Sequence, residues 1–202
     1  LGIVANELFD AIPIRAFVKH GGHWREKAVG ADAAENLVFQ SMRASLSLSD
    51  LPVGHETQTD GSIFEYAPAR EAMMQEIAGR LAANGGFGLF IDYGHARSGF
   101  GDTLQAIKKH AFANPLEDPG EVDLTSHVDF EALANAARRE GANVSSVPEQ
   151  GTFLTRLGII ERAEQLASAQ PASHNALEIA CDRLIGKDQM GNLFKVIGIA
   201  AL

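Results

Sequence analysis

The chain has 202 residues, a length that suits one ordinary domain able to bury a sizeable core. Hydrophobic residues make up 46% and charged residues 21%, the balance of a globular domain, and 17 Lys+Arg against 26 Asp+Glu leave a net charge of -9. That acidity excludes modes of binding that rest on neutralising phosphates, so neither nucleic acid nor a basic membrane-surface helix is expected.

Leu1 to Ala5 is a short apolar run of the kind found in buried parallel strands, and it opens as a strand already under way. It runs into Asn6-Glu7, polar residues delivered at a strand end, where an open α/β sheet binds its ligands. Ile14–Val18 and Trp24–Val29 read as two strands joined by a turn at His20-Gly21-Gly22-His23, a hairpin inserted after the first strand. Residues 30–62 are rich in Ser, Asp, Thr and Gly and are assigned to loop and short strand. A helix follows Pro68, with Met73, Ile77 and Leu81 as its core stripe and Asn84-Gly85-Gly86 as its stop. Phe87–Ile91 is then a buried strand ending in Asp92-Tyr93-Gly94-His95.

This αβ unit repeats. Asp129 can cap a helix carrying Phe130, Leu133 and Ala137, with Gly141 as its stop and 142–147 as the next strand. Helical patterns cover 152–169 and 173–185 on either side of Pro171, and Leu193–Ala200 closes the chain as a strand buried on both faces. The set matches half of an α/β sheet.

Several features admit two readings. Asn6, Glu7 and Asp10 supply carboxylate and amide groups within one turn of chain, suited to substrate, or they form a loop that caps the next element. Asp92, Tyr93 and His95 reach the same rim if the two strands are parallel, or they cap and pack. Gly94 would let a ligand approach the backbone. Residues 94–103 suggest a mobile lid or an ordinary loop. His127 and Asp129 could orient one another or a substrate, or serve a helix start. His20 and His23 lack acidic or cysteine companions at ligand spacing, so no metal is expected. Cys181, the only cysteine, excludes an internal disulfide and reads as a small apolar core residue. No apolar run reaches the ~20 residues of a membrane-spanning helix, and no signal peptide pattern opens the chain.

Six segments, in order, carry a resemblance. Asn6-Glu7-Leu8-Phe9-Asp10-Ala11-Ile12-Pro13-Ile14 resembles the Asn-Glu-(aromatic or aliphatic)-Phe-Asp-Ala-Leu-Pro-Val signature of the MidA-like proteins. Ile91-Asp92-Tyr93-Gly94-His95, Gly101-Asp102-Thr103-Leu104-Gln105 with His110, and Asp123-Leu124-Thr125-Ser126-His127-Val128-Asp129-Phe130 are similar to further family segments. So are Gln150-Gly151-Thr152-Phe153-Leu154 and Met190-Gly191-Asn192-Leu193-Phe194-Lys195-Val196. The family comprises S-adenosylmethionine-dependent methyltransferases of bacteria and mitochondria, whose mitochondrial members methylate arginine and assist assembly of respiratory complex I.

The resemblance implies the C-terminal half of a Rossmann-like class I methyltransferase sheet, with its last strand antiparallel and inserted between two others. Residues 1–202 are then part of a single domain with an insertion at about 14–62. The family's glycine-rich cofactor loop and ribose-holding acidic residue are expected upstream of Leu1, so this chain assigns no cofactor-binding residue and by itself is expected to be inactive. S-adenosylmethionine is the implied cofactor, and a protein arginine, on a respiratory complex subunit, the implied substrate. Asn6, Glu7 and Asp10 take the catalytic positions; Asp92, Tyr93, His95, His127 and Asp129 take substrate-binding ones. The implied compartment is the cytoplasm of a bacterium or the mitochondrial matrix of a eukaryote. The rival is a methyltransferase-like fold kept as a non-catalytic assembly or interaction surface. A hydrolase is disfavoured by the lack of a Gly-x-Ser-x-Gly elbow.

Overall fold

The computed structural model describes Leu1–Lys109 and Ala111–Ala201; His110, part of one family-like segment, lies outside the described residues. In chain order, β1 (Gly2–Asn6) is followed by the hairpin β2 (Arg15–His20) and β3 (His23–Ala31), then by β4 (Leu37–Arg43) and β5 (Ile63–Tyr66). Next come α1 (Pro68–Asn84), β6 (Gly86–His95), β7 (Gln105–Lys108), β8 (Ala111–Ala113), β9 (Asp123–Thr125) and β10 (Val128–Asp129). The remainder is α2 (Phe130–Arg139), β11 (Asn143–Val144), α3 (Gln150–Arg156), α4 (Ile159–Ala169), α5 (His174–Ile185), α6 (Met190–Leu193) and β12 (Phe194–Ala201). The fold is mixed α/β, and the chain divides into two compact units.

The first unit contains Leu1–Phe9, Met73–Arg97 and the chain from Val128 onward. Its sheet has the order β1-β6-β12-β11, with β10 added on β6 beyond the end of β1. β1 and β6 are parallel, in the register Gly2↔Phe87 to Asn6↔Ile91. β12 enters antiparallel between β6 and β11, as expected for the closing strand, and Phe194, Val196, Ile197, Ile199 and Ala201 are buried. Asp129 caps α2 by accepting from Ala132 N at 3.0 Å, and Phe130, Leu133 and Ala137 turn inward.

Four details of this unit correct the sequence reading. β6 runs to His95, so Asp92–His95 lie inside the strand; a polar residue in a buried row had looked like the strand's end. The buried stripe of α1 is Met74, Ala78 and Leu81, with Met73 exposed at 37%. The 152–169 helix is two helices, because Gly158 at φ +84° breaks it. Cys181 is half-buried on α5, a helix without a fully buried residue.

The second unit contains Asp10–Ala72 and Ser98–His127. The expected hairpin forms around Gly21 and Gly22, both at positive φ, the conformation that two-residue hairpin turns favour. It is extended into a four-stranded antiparallel sheet, β4-β3-β2-β5. β4 was hidden in sequence because nearly all its residues are exposed on both faces and so do not alternate. Phe17 and Phe64 form the buried centre of this sheet, with rings 6.4 Å apart. β8-β7-β9 make a second small sheet.

The 94–103 segment does not form a free lid. Phe100 stacks on Trp24 at 5.6 Å, Gly101 N donates to Ile63 O at 2.9 Å, and the Glu65 carboxylate accepts from the backbone N–H groups of Thr103 and Leu104 and from the Thr103 hydroxyl.

Candidate active site

In the first unit the parallel pair β1 and β6 brings Asn6 and Glu7 to the carboxyl end of the sheet, beside Ile91 and Asp92. Glu7 departs from the strand: its φ is +50°, left-handed for a non-glycine residue, while its N–H still donates to Ile91 O at 2.9 Å. A side chain held in this region costs of order 1–2 kcal/mol, and such cost is often carried where a residue must be presented. Both side chains are exposed, and Asn6 Nδ2 donates to Glu7 Oε1 at 3.0 Å, which fixes the direction of the carboxylate.

The residues behind them are buried. Gly88, Phe90, Asp92 and Gly94 form the inward row of β6. Asp92, with no exposure, replaces an apolar side chain in that row. Its Oδ2 accepts from Phe9 N and its Oδ1 from Tyr93 N, both at 2.9 Å. The Phe9 ring packs on Phe90 at 5.6 Å. Asp92 thus anchors the segment two residues after Glu7, and Tyr93 packs edge-on against Phe194 at 5.5 Å.

Gly94 has a different use from the one its composition suggested. A Cβ there would strike the main chain of Val128, so the glycine admits β10. That pairing sets His95 opposite Asp129; His95 Nδ1 lies 2.7 Å from Arg97 O, and Asp129 is engaged as the α2 cap. Lys195 faces Asp92 across the β6–β12 ladder. Burial lowers its ammonium pKa, with the negative charge of Glu149 acting in the opposite direction.

Asp10 and His127 belong to the second unit, and a residue not singled out from sequence connects them. Arg70, 2% exposed, donates to four main-chain carbonyls: Asp10 at 2.8 Å, Ile12 at 3.1 and 3.2 Å, Ser126 at 3.3 Å and His127 at 2.7 Å. It also donates to Ser126 Oγ at 2.6 Å. Ser126 N donates to Asp10 O, and His127 N to Thr103 Oγ1 at 2.9 Å. An arginine four residues before Met74, on the buried side of α1, was the available signal. Asp10 is itself buried, unlike Glu7. Among the described residues no group of three His, Cys, Asp or Glu is placed to hold a metal ion.

Residues 1–147 match a protein family described as "Putative S-adenosyl-L-methionine-dependent methyltransferase". The chain belongs to that family. Among its relatives, a Drosophila melanogaster protein named "Protein arginine methyltransferase NDUFAF7 homolog, mitochondrial" is 32% identical, over 98% of this chain and 46% of its own length. The Homo sapiens "Protein arginine methyltransferase NDUFAF7, mitochondrial" is 31% identical, over 97% and 44%. The chain thus spans about half the length of the curated relatives it matches. A crystal structure of a Burkholderia thailandensis superfamily member bound to S-adenosyl-homocysteine superposes with a TM-score of 0.87 at 27% identity, covering 98% of this chain and 53% of that one.

Proposed function

We propose that the protein carrying this chain transfers a methyl group from S-adenosylmethionine to a protein arginine, with Glu7 as the residue that receives the substrate. The observation that carries this reading is the exposed Glu7 carboxylate at the end of β1, aimed by Asn6 and held at positive φ. The names of the relatives support the substrate class, and the bound S-adenosyl-homocysteine of the bacterial neighbour supports the cofactor. Residues 1–202 are read as part of a single methyltransferase-like domain, with 14–62 as an insertion.

The cofactor supplies an electrophilic methyl on a sulfonium. Asn6, exposed beside Glu7, lines the path of the methyl, and no cofactor-binding residue is assigned in this chain; no strand-to-helix glycine loop of the cradle type occurs among the described residues. On the acceptor side, the guanidinium is cationic at neutral pH, so a carboxylate both orients it and takes the proton released as the new N–C bond forms. Glu7 performs both tasks. Asp92 acts from behind by holding Phe9, and Asp10, being buried, holds the loop. Tyr93, His95 and Asp129 of the first unit and, separately, His127 of the second remain proposed as substrate-binding residues. A respiratory complex subunit is the proposed substrate protein, in the mitochondrial matrix of a eukaryote or the cytoplasm of a bacterium. Among the described residues no helix is long and apolar enough to cross a membrane.

The test is Glu7→Gln in the whole protein, assayed by transfer of labelled methyl to arginine peptides and by calorimetry with S-adenosylmethionine. The expected result is a fall in kcat of ~100-fold or more with cofactor affinity within about twofold. Unchanged transfer would assign Glu7 to the scaffold; no transfer by the parent protein itself would favour a docking role for the fold.

A further inference from the structure

We propose that the outer edge of β4, with the face that β4 shares with β3, docks an extended acidic segment of a partner protein as an added strand. Among the described residues β4 ends the second unit's sheet and pairs only with β3. The hydrogen bond from Asp32 N to Asn36 O sets the phase of the ladder. Bonded pairs alternate in an antiparallel ladder, so Val38, Gln40 and Met42 turn their main-chain groups toward β3. Those of Leu37, Phe39, Ser41 and Arg43 point to the open edge. Natural edges usually repel strands with lysine, proline or a bulge. Leu37 to Met42 contains neither lysine nor proline and pairs without interruption, and Leu37, Phe39 and Met42 are exposed.

The side chains on the shared face decide what such a strand carries. Arg25 stands directly opposite Arg43 in a non-bonded pair, the kind in which side chains come closest. Like charges there are destabilising, and among the described residues neither arginine forms an ion pair; Arg25 donates to Ser41 Oγ at 2.8 Å. Lys27, on the same face, lies over the Phe39 ring at 4.4 Å and reaches Asp102 at 3.4 Å. Residues 15–43 hold five Lys+Arg against three Asp+Glu, in a chain whose net charge is -9.

A cationic, partly apolar edge on an acidic protein favours a carboxylate-bearing peptide, because nucleic acid would meet the repulsion of the whole chain. The segment that fits sets carboxylates near Arg43 and Arg25 and an apolar side chain four residues away beside Phe39. Alternate residues face the other side of the sheet.

The experiment is fluorescence anisotropy on the protein without cofactor, which keeps the result independent of methyl transfer. The probe is a fluorescein-labelled nonapeptide with threonine at odd positions and Glu, Glu, Leu, Leu at even positions, together with its reversed sequence. One of the two should bind about tenfold or more tightly than a counterpart with lysine for glutamate, and weaken with salt. The double variant Arg25→Glu/Arg43→Glu should lose that preference. Ser41→Pro should abolish binding, since it removes an outward N–H while leaving the β3–β4 bonds intact, and Ser41→Ala should bind like the parent. Should Ser41→Pro fail to fold, N-methylation of the peptide at alternate residues blocks the same bonds from the other side.

Equal binding of acidic and basic peptides, or binding indifferent to both blocks, overturns the proposal. So does tighter binding of a twelve-nucleotide oligothymidine at this edge. A dimer in sedimentation that Ser41→Pro or the Arg25/Arg43 double variant dissolves would assign the edge to a second copy instead.

Discussion

Two residues, one in each unit, show how polar groups are handled in this chain. Arg70 is buried, yet its fork-shaped guanidinium matches several carbonyls that leave regular structure at once, Asp10, Ile12, Ser126 and His127. Replacing it with methionine preserves most of the volume and removes every one of those donors. Arg70→Met should lower stability by about 3–5 kcal/mol, read as a shift of the urea midpoint. Arg70→Lys should recover only part of the loss, because an ammonium cannot span the same set. Glu7 is the opposite case: exposed, conformationally costly, and tied to its neighbours by one main-chain and one side-chain hydrogen bond. A variant there is free to change chemistry without unfolding the protein, which separates the two residues experimentally.

At the level of elements, close approach and turn capping govern the supports. Gly94→Ala forces a methyl group against the Val128 main chain, so β10 must move from β6. The expected cost is about 1–3 kcal/mol, together with faster amide exchange at Ala132, whose N–H is held by the Asp129 cap. In the β4-β3-β2-β5 sheet, Arg15 pairs with Glu26 through two hydrogen bonds of 2.7 and 2.8 Å. The hydrogen bond and the arginine charge hold the Glu26 pKa below its ordinary range, against a smaller effect of burial. A lowered carboxylate pKa in the folded state stabilises above the unfolded value, and that contribution disappears as pH falls through the lowered one. The sheet should therefore loosen on acidification. In Arg15→Met, the Glu26 carboxyl should titrate at higher pH by carbon NMR, and part of the acid sensitivity should vanish.

Across the molecule, what could be read in the sequence followed the strength of local patterning. β1, β6, the Asp129-capped α2 and the buried β12 each carry continuous apolar runs or a periodic face, and their expected pairing and direction are borne out. β4 and β5 escaped because an exposed strand does not alternate and a four-residue strand is too short to show that it does. β7–β9 offered the same difficulty. Of the site, the strand-end position of Asn6 and Glu7 was legible; the burial of Asp92 and Asp10 was not, because a carboxylate that accepts backbone N–H groups from distant residues leaves no local trace.

The position of β12 also bears on how the molecule is made. It follows the other described strands in chain order, yet it lies between β6 and β11, which among the described residues do not pair with one another. On the ribosome, β1 and β6 can meet early, but β11 has no neighbour until the residues from Phe194 onward have emerged. A chain cut short within Phe194–Ala201 would lack the middle of its first-unit sheet and leave the facing edges of β6 and β11 open to other molecules.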